Sequence, residues 1–353
     1  MKPRNLCAGF AALAAVIASM GAGPAIAQDK KPYIIYLSNN FVGNDWRQQM
    51  ERVATVAVGK APLAGRVDLK IENVEGTVQA QINSLSNIIR QKPDAILIDA
   101  SSAEALNPTI QKACDAGIVV ISFDQTVSAE CAYKLHSDFD IMANNQAEWM
   151  ATILGGKGKV LMDRGLAGAP ISELFEKNYS AVLKKYPGIE IVGYFNGNYA
   201  AGPEQEGVAS LLAAHPEVDG IFSQGYGTGA INALQNADRP LVPIVAAAFN
   251  GTGVVCAQTK GAKCWLGANP PSLSAEATKL AVDILDGKKL AGKTVLFNSP
   301  GLTTDMVDAK YSPNSSAVKI ELGKTVFPDL APGLSLPVSP DWVEITAKEA
   351  SGT

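Results

Sequence analysis

The stretch IRQKPDAILIDASSAEALNPTIQKACDAGIVVISFDQ, residues 89–125, predicts the fold of this chain most directly. Its apolar runs 95–98 and 118–123 have the pattern of strands, and a helical pattern over 103–116 lies between them. Gly117 ends that helix, as glycine commonly does just after a helix. A strand, a helix and a second strand form a parallel βαβ unit, because parallel strands need a long crossover connection.

The same alternation of strands and helices extends through most of the chain. Outside this stretch the predicted strands are 33–37, 67–71, 160–162, 189–195, 220–223 and 244–249. The predicted helices are 46–58, 77–90, 172–185, 204–214, 229–236 and 274–285. The rhythm restarts after Trp149, so we expect an α/β protein with two doubly wound parallel-sheet lobes. The tail from Gly301, rich in Pro, Ser and Gly, is expected to run over the surface.

Composition excludes several classes of protein. The chain has 353 residues, 47% of them apolar, which is enough for two domains with sizeable cores. Its net charge of −4 gives no basic footprint, so nucleic acid is not an expected partner. The two histidines, His136 and His215, are far apart in sequence and have no metal-ligand spacing. We therefore expect neither a metal nor a cofactor.

The first 27 residues have the pattern of a signal peptide. Lys2 and Arg4 precede an apolar run over 8–20, and Ala25-Ile26-Ala27 is a small-x-small cleavage site. The apolar run is shorter than the roughly 20 residues that span a bilayer. We expect cleavage after Ala27 and export to the periplasm, with a retained anchor as the alternative. No later stretch is long and apolar enough to enter a membrane.

Four cysteines remain after such a cleavage, an even number for an oxidising compartment. Cys256 and Cys264 bracket the segment AQTKGAK between two strand-like runs, which is compatible with a hairpin disulfide. Cys114 and Cys131 are then left to pair with each other. Free buried thiols are the alternative for each pair.

Open α/β sheets bind ligands beyond the carboxyl ends of their strands. The positions that this rule nominates are 38–46, 101, 124–125, 165–173, 224–226 and 250. They are polar and rich in amides, with aromatic rings and few charges. They contain no serine–histidine–acid combination, no lone cysteine near a base and no carboxylate cluster. Such a set suits hydrogen bonding to a neutral polyhydroxylated molecule, and we do not expect an enzyme.

Three segments carry a resemblance to a known family. Residues 89–125, His136-Ser137-Asp138 and HPEVDGIFSQGYGTGAINAL, residues 215–234, resemble periplasmic substrate-binding proteins of ABC sugar importers of the ribose-binding type. The resemblance implies a two-lobe clamp with a hinge that closes on one sugar and presents it to a membrane permease. It implies an amino-terminal lobe of 28–138 plus 270–299 and a carboxy-terminal lobe of 139–269 plus 300–353. We expect a monomer.

The resemblance also nominates ligand-binding residues one at a time. Asn44 and Trp46 match the asparagine and the aromatic of the first loop. Arg47 resembles the Trp-Arg pair of relatives that bind hexoses, including furanose forms. Asp124 matches an aspartate that accepts hydrogen bonds from two sugar hydroxyls. Asn269 stands where the family has a glutamine.

Other family contacts are replaced. Gln125 and Glu173 stand where the ribose type has arginines. Gly225-Tyr226 replaces an Asn-Asp pair, and Asn250 replaces an aspartate. These changes leave the identity of the sugar open, although Gln125, Glu173, Tyr226 and Asn250 remain candidate contacts.

Each nominee also has a purely structural interpretation. Asp124 could cap its strand, Trp46 could be a core residue at the start of a helix, and Arg47 could be solvated or bridge the lobes. Asn250 and Asn269 have the residue type of turns. Glu173 opens a helix, where the helix dipole favours a carboxylate.

The favoured function is an exported solute-binding protein for a neutral monosaccharide or short polyol, working with an ABC permease. A binding protein that feeds a chemoreceptor or sensor kinase has the same fold and is the first alternative. A remote alternative is a nicotinamide oxidoreductase, because residues 224–230 are close to G-x-G-x-x-A and follow a predicted strand. The acidic residue expected about 20 positions later is missing.

Overall fold

A computed structural model describes residues 31–167, 170–297, 301–307 and 317–353. The predicted signal segment, residues 1–27, lies outside the described residues. Among the residues that are described, no helix has both the length and the apolar character needed to cross a bilayer.

The described residues form strands and helices in strict alternation over most of the chain. The strands are Tyr33–Asn39 (β1), Val67–Asn73 (β2), Ala95–Asp99 (β3), Val119–Phe123 (β4), Tyr133–Ser137 (β5), Lys157–Asp163 (β6), Gly188–Phe195 (β7), Gly220–Phe222 (β8), Ile244–Ala247 (β9), Cys264–Gly267 (β10), Thr294–Phe297 (β11), Gly301–Thr303 (β12) and Ala317–Lys319 (β13). The helices are Asp45–Val58 (α1), Val78–Arg90 (α2), Asn107–Asp115 (α3), Phe139–Ile153 (α4), Pro170–Leu183 (α5), Ala201–Ala214 (α6), Thr228–Asn236 (α7), Asn250–Gln258 (α8), Leu273–Leu285 (α9) and Ala347–Ser351 (α10).

The strands form two separate sheets, which confirms the predicted two-lobe α/β fold. The first sheet has the order β11-β5-β4-β3-β1-β2, and all its pairs are parallel. The second has the order β13-β12-β10-β9-β8-β6-β7 and is parallel except where β12 runs antiparallel to β10. We call each sheet with its covering helices a lobe.

Each face of the first sheet is covered by helices. Met50 of α1 and Leu273 of α9 pack on one face, and Leu85 of α2 and Ile110 of α3 pack on the other. All five residues of β3 are buried, because this central strand has helices on both sides. This burial is the physical reason for the continuous apolar runs that made the fold predictable.

Several elements were not predicted from the sequence, among them α4, β5 and α8. Helix α4 was not predicted, because residues on most of its sides are buried and it has no single apolar stripe. Strand β5 was not predicted either; it is short and only partly apolar. Helix α8 begins at Asn250, where the sequence pattern indicated the end of a strand.

Two disulfides join Cys114 to Cys131 and Cys256 to Cys264. Cys114 lies in α3, and Cys131 lies in the connection between β4 and β5. Cys256 lies in α8, and Cys264 begins β10. The second bridge therefore joins a helix to a strand, which corrects the expectation of a β-hairpin.

The carboxy-terminal tail is built into the molecule, which corrects the expectation that it runs over the surface. Strands β12 and β13 extend the second sheet. Leu334, Leu336 and Ile345 are at most 3% exposed and belong to a core cluster that also contains Val53 of α1. Buried leucine and isoleucine side chains hold the tail in place through the hydrophobic effect.

Residues 334–336 of the tail form hydrogen bonds with both lobes. In the second lobe, Asn250 N donates to Leu334 O at 2.8 Å and Leu336 N donates to Ala248 O at 2.8 Å. In the first lobe, Gln49 of α1 bonds the backbone of Ser335 twice, accepting from its N–H at 2.8 Å and donating to its carbonyl at 2.9 Å. The tail therefore connects the lobes near the cleft.

Candidate functional site

A cavity of about 820 Å³ lies between the carboxyl ends of the strands of the two sheets. Pockets of roughly 300–1,000 Å³ are typical of small-molecule sites. We call its lining side chains from residues 44–136 and Asn269 the first wall, and those from residues 139–267 the second wall. Ser335 of the tail lines the cavity as well.

The cavity brings together most of the residues that the sequence nominated. Seven of the nine line it: Asn44, Trp46, Arg47, Asp124, Gln125, Tyr226 and Asn269. The other two, Glu173 and Asn250, are placed elsewhere, as described below.

Arg47 is the centre of the first wall and is only 4% exposed. It pairs with the fully buried carboxylate of Asp99 and donates from Nη1 to Asn39 Oδ1 at 2.8 Å. Its Nη2 lies 3.9 Å from Asp124 Oδ2. The Gln125 amide, oriented so that both its groups find partners, accepts from Arg47 Nη2 at 2.9 Å. Arg47 is therefore fixed from several sides and holds two carboxylates with one positive charge.

Burial raises the pKa of Asp99 well above its usual range, and the neighbouring Arg47 charge opposes that rise. Asp99 ends β3 directly beneath the cavity, and Gln81 of α2 donates to its carbonyl at 2.9 Å. Asp99 was not among the residues nominated from the sequence. The signal was present, because a carboxylate at the end of an apolar strand needs a partner when it is buried.

Asp124 and Asn269 are partly exposed partners in this network. Asn269 Nδ2 donates to Asp124 Oδ1 at 2.8 Å, and Asn269 Oδ1 accepts from Ser137 Oγ at 2.8 Å. The Asn269 carbonyl accepts from Trp46 Nε1 at 2.7 Å. Trp46, Asp124 and Asn269 therefore come from three distant parts of the chain and meet in one hydrogen-bonded group.

Two details of this group involve backbone geometry. Asp124 has a φ of 55°, in the left-handed region that Asp and Asn tolerate better than other non-glycine residues. Asn44 caps α1, because its side chain accepts from Arg47 N at 2.9 Å. The cap fixes where α1 begins and so aims Trp46 and Arg47 at the cavity.

The second wall is mainly apolar. Its aromatic and large aliphatic members are Phe139, Met142, Leu166, Ile171, Leu174, Phe175, Tyr199, Tyr226 and Phe249. The rings of Tyr226 and Phe249 are stacked with centroids 4.0 Å apart and planes 4° apart. The Tyr199 hydroxyl is 2.5 Å from Ser172 Oγ, so these two polar groups bond each other.

Two buried carboxylates behind the second wall bind backbone amides. Asp163 accepts from Gly165 N at 2.7 Å, Gly197 N at 2.8 Å and Gln224 N at 3.0 Å. Burial raises the pKa of Asp163, and these three hydrogen bonds oppose the rise. Its lone pairs are therefore already used for holding loops together.

Glu204 of α6 likewise binds backbone amides, here within residues 224–230, the segment that is close to a dinucleotide motif. Its carboxylate accepts from Gly227 N and Gly229 N, each at 3.2 Å. Burial raises the pKa of Glu204 to about 7. The amides that a phosphate would need in a dinucleotide site are thus bound by this chain's own carboxylate.

Asn250 and Glu173 do not reach the cavity. The side chain of Asn250 donates to Phe327 O at 2.8 Å and accepts from Phe327 N at 2.7 Å, so it anchors the tail. Glu173 is exposed in the first turn of α5, where the helix dipole favours it. The structural interpretations of these two residues therefore hold in place of a ligand contact.

Comparisons with known proteins agree with this geometry. The sequence profile of the periplasmic binding protein domain matches residues 35–289. A xylitol-binding protein of Mycolicibacterium smegmatis is 26% identical over 186 residues, which cover 52% of this chain and 53% of that protein. The match therefore spans about half the length of that relative.

Two further relatives are matched over most of their length. The ribose import binding protein of Bacillus subtilis is 21% identical over 274 residues, covering 76% of this chain and 87% of that protein. The crystal structure of an ABC transporter solute binding protein from Thermobispora bispora is 29% identical, with a TM-score of 0.66. It covers 78% of this chain and 85% of that one.

Proposed function

We propose, from the premise that this chain belongs to the periplasmic binding protein domain family, that it captures a neutral monosaccharide or short polyol. The ligand would be bound in the cleft and delivered to an ABC permease. The single observation that carries the proposal is the group of Trp46, Asp124 and Asn269 at the first wall. The printed names of two relatives, a xylitol-binding and a ribose import binding protein, support a sugar or polyol.

The chemistry of the first wall supports hydroxyl groups as the ligand. A carboxylate such as Asp124 accepts strong, charge-assisted hydrogen bonds from hydroxyls. The Asn269 amide holds that carboxylate in place, and the indole of Trp46 offers a flat apolar face for the C–H side of a ring.

The charge balance of the first wall supports a neutral ligand. Arg47 faces two carboxylates, those of Asp99 and Asp124, so its positive charge is already matched. An anion in the same closed cleft would add a buried charge without a partner, which is strongly unfavourable.

We further propose that the ligand is enclosed by hinge closure of two lobes, 28–138 plus 270–299 and 139–269 plus 300–353. The chain passes between the sheets after β5, after β10 and after β11. Contacts of the tail cross this division: α10 packs beside α1 of the other lobe, and Arg52 Nε donates to Ala350 O at 2.9 Å.

The test is thermal unfolding of the mature protein, freed of carried-over ligand, against pentoses, hexoses, alditols and sugar acids. A ligand at about 1,000 times its dissociation constant adds roughly 4 kcal/mol, enough to raise Tm by several degrees. A rise confined to one or a few neutral sugars or polyols is the expected result. A rise only with sugar acids, or none across the panel, would contradict the proposal.

Export and delivery need a separate measurement. Expressed in a Gram-negative host, the protein should be released by osmotic shock with Gln28 as its first residue. Uptake of the identified sugar by the source cells should be lost when the gene is deleted. Retention of the intact amino terminus in the cytoplasm would contradict the export step.

A further inference from the structure

We infer that the ligand has two unlike ends: a polyhydroxylated end, and a hydrocarbon or aromatic group of at least ring size. The inference rests on the proposed function and deepens it. It assigns the polyhydroxylated end to the first wall and the apolar group to the second wall, so the substrate class is a glycoside or polyol with an apolar substituent.

The apolar side chains of the second wall face the cavity with accessible surface. Leu166 is 47% exposed although it is a large aliphatic residue. Ile171, Leu174 and Phe249 are also partly accessible at the cavity. A wall of this kind contributes to binding only when apolar ligand surface covers it and releases the water.

Charges are confined to the first wall. Among the described lining residues, the carboxylate and the guanidinium belong to Asp124 and Arg47, and both are in the first lobe. In the second lobe, the carboxylates of Asp163 and Glu204 are bound to backbone amides. Arg164 is turned outward, because it pairs with Glu176 at 3.1 Å and stacks on the Tyr194 ring.

Neutral polar groups of the second wall are also largely occupied. Tyr199 bonds Ser172, and Gln146 donates to Ala246 O at 3.0 Å while it accepts from Tyr179. Gln224 Nε2 donates to Asp163 O at 2.9 Å. Within the described residues, Gln224 Oε1 is a buried acceptor without a hydrogen-bond partner.

A sugar that is hydroxylated all round fits this pair of walls poorly. Hydroxyls placed against Leu166, Leu174 or Phe249 would lose their water and gain no hydrogen bond, which is unfavourable. A ring or alkyl group at the same position would bury apolar surface on both partners, which is favourable. A polar first wall and an apolar second wall therefore favour a ligand with one hydroxylated end and one apolar end.

The test is isothermal titration calorimetry with matched pairs of glycosides. Methyl and phenyl glycosides of D-glucose, D-galactose, D-xylose and D-ribose are compared with the free sugars and with phenol. For at least one sugar, the phenyl glycoside should bind about 10–100-fold more tightly than the methyl glycoside, as burial of one ring predicts. Phenol alone should bind at least tenfold more weakly than that phenyl glycoside.

Two variants locate the effect. Leu166→Ser should reduce the phenyl-to-methyl affinity ratio by about threefold to tenfold, because the loop residue offers apolar surface to the ring. Leu322→Ser is the matched control, since Leu322 is 45% exposed and does not line the cavity. It should leave the ratio unchanged. Circular dichroism checks that both variants are folded.

The outcomes separate this inference from the proposed function. If a free sugar and its methyl glycoside bind as tightly as the phenyl glycoside, the two-ended ligand is excluded and sugar capture stands. If phenol binds as tightly as any glycoside, both are overturned. If nothing in the panel binds, the two-ended ligand is overturned, and the thermal screen decides sugar capture. An unchanged ratio in Leu166→Ser would also overturn the inference, because the ring would then lie elsewhere.

Discussion

The two walls of the cleft are built at equivalent places of similar sheets, yet they use their carboxylates in opposite ways. In the first lobe, Asp99 and Asp124 face the Arg47 guanidinium, and Asp124 lines the cavity. In the second lobe, Asp163 and Glu204 are buried behind the cavity and accept hydrogen bonds from backbone amides.

The sheet topology therefore fixes where these polar residues lie, but it does not fix what they bind. Asp99, Asp124 and Asp163 lie at or just after the carboxyl ends of strands, where an α/β sheet concentrates its ligand contacts, and Glu204 lies in the first turn of α6. A cation turns the carboxylates of the first wall into a charge-balanced binding surface. In the second lobe no cation faces the carboxylates of Asp163 and Glu204 among the described residues. They bind the backbone amides of loops, and apolar side chains line most of the second wall.

The largest expected effect comes from removing the cation of the first wall. Arg47→Met should lower the free energy of unfolding by about 3–5 kcal/mol, because Asp99 is left as a buried carboxylate without its partner. Urea unfolding at pH 7 measures the change. The double variant Arg47→Met/Asp99→Asn should recover much of the loss.

Arg66→Met is the matched control for that prediction. Arg66 pairs with Asp286, but both side chains are more than a third exposed, so the loss should stay below about 1 kcal/mol. Equal losses at Arg47 and Arg66 would show that the first wall does not depend on its buried pair.

The next effect concerns ligand affinity. Asp124→Ala should weaken binding of the sugar found by the thermal screen by about 2–4 kcal/mol, because a charge-assisted contact is lost. Asp124→Asn keeps the left-handed backbone and the side-chain shape, so it should lie between the wild type and the alanine variant. Calorimetric titration gives both values. Full affinity in the alanine variant would place the ligand away from the first wall.

The carboxylates of the second lobe should make stability depend on pH. The pKa of Glu204 is about 7 in the folded protein, against 4.5 when it is unperturbed. The folded state therefore binds this proton more tightly than the unfolded state, so the contribution of Glu204 to stability is complete below about pH 4.5 and is lost as the pH rises to about 7. The share of Glu204 is about 3 kcal/mol.

The variant Glu204→Gln isolates that share, because Asp163 also has a raised pKa and contributes in the same direction. Between pH 5 and pH 8, its stability should fall less steeply than that of the wild type in urea unfolding. Glu206→Gln, on an exposed position of the same helix, should keep the wild-type slope. A wild-type slope in Glu204→Gln would mean that other groups cause the pH dependence.

The smallest change in stability is expected from replacing Asn44, whose side chain caps α1. Asn44→Ala should destabilise the protein by about 1 kcal/mol, because α1 loses its capping acceptor. Asn44→Ser preserves a capping oxygen and should lose only a few tenths. Binding that weakens in both variants while stability is kept in Asn44→Ser would assign Asn44 a direct ligand contact as well.

The sequence allowed the two-lobe fold to be predicted because its central strands are continuously apolar and its helices are periodic. Helix α4 was not predicted because it is buried on most sides and so has no apolar stripe. Strand β5 was not predicted because it is short and only partly apolar. The tail escaped because Pro and Gly are typical of surface loops, whereas here Leu334 and Ile345 fill the core.

The prediction of the site followed the same physical limits. Trp46 and Asp124 could be placed at the cavity because they come just after strands, whereas Arg47 was nominated only by the family resemblance. The position of Asn250 fits the same rule, but its amide turns to Phe327 of the tail. Sequence position tells where a residue lies on a sheet edge, and only the neighbouring segments decide which way its side chain turns.

The late position of α9 and β11 has a consequence for how the protein is made. A chain synthesised from its amino terminus completes β1 to β5 long before the residues of α9 and β11 exist. Until then, the sheet face that Leu273 and Val282 cover is open, and β5 is an unpaired edge. A first lobe that assembles before α9 and β11 arrive is an incomplete fold with an open apolar face, and incomplete folds of this kind are the ones that aggregate.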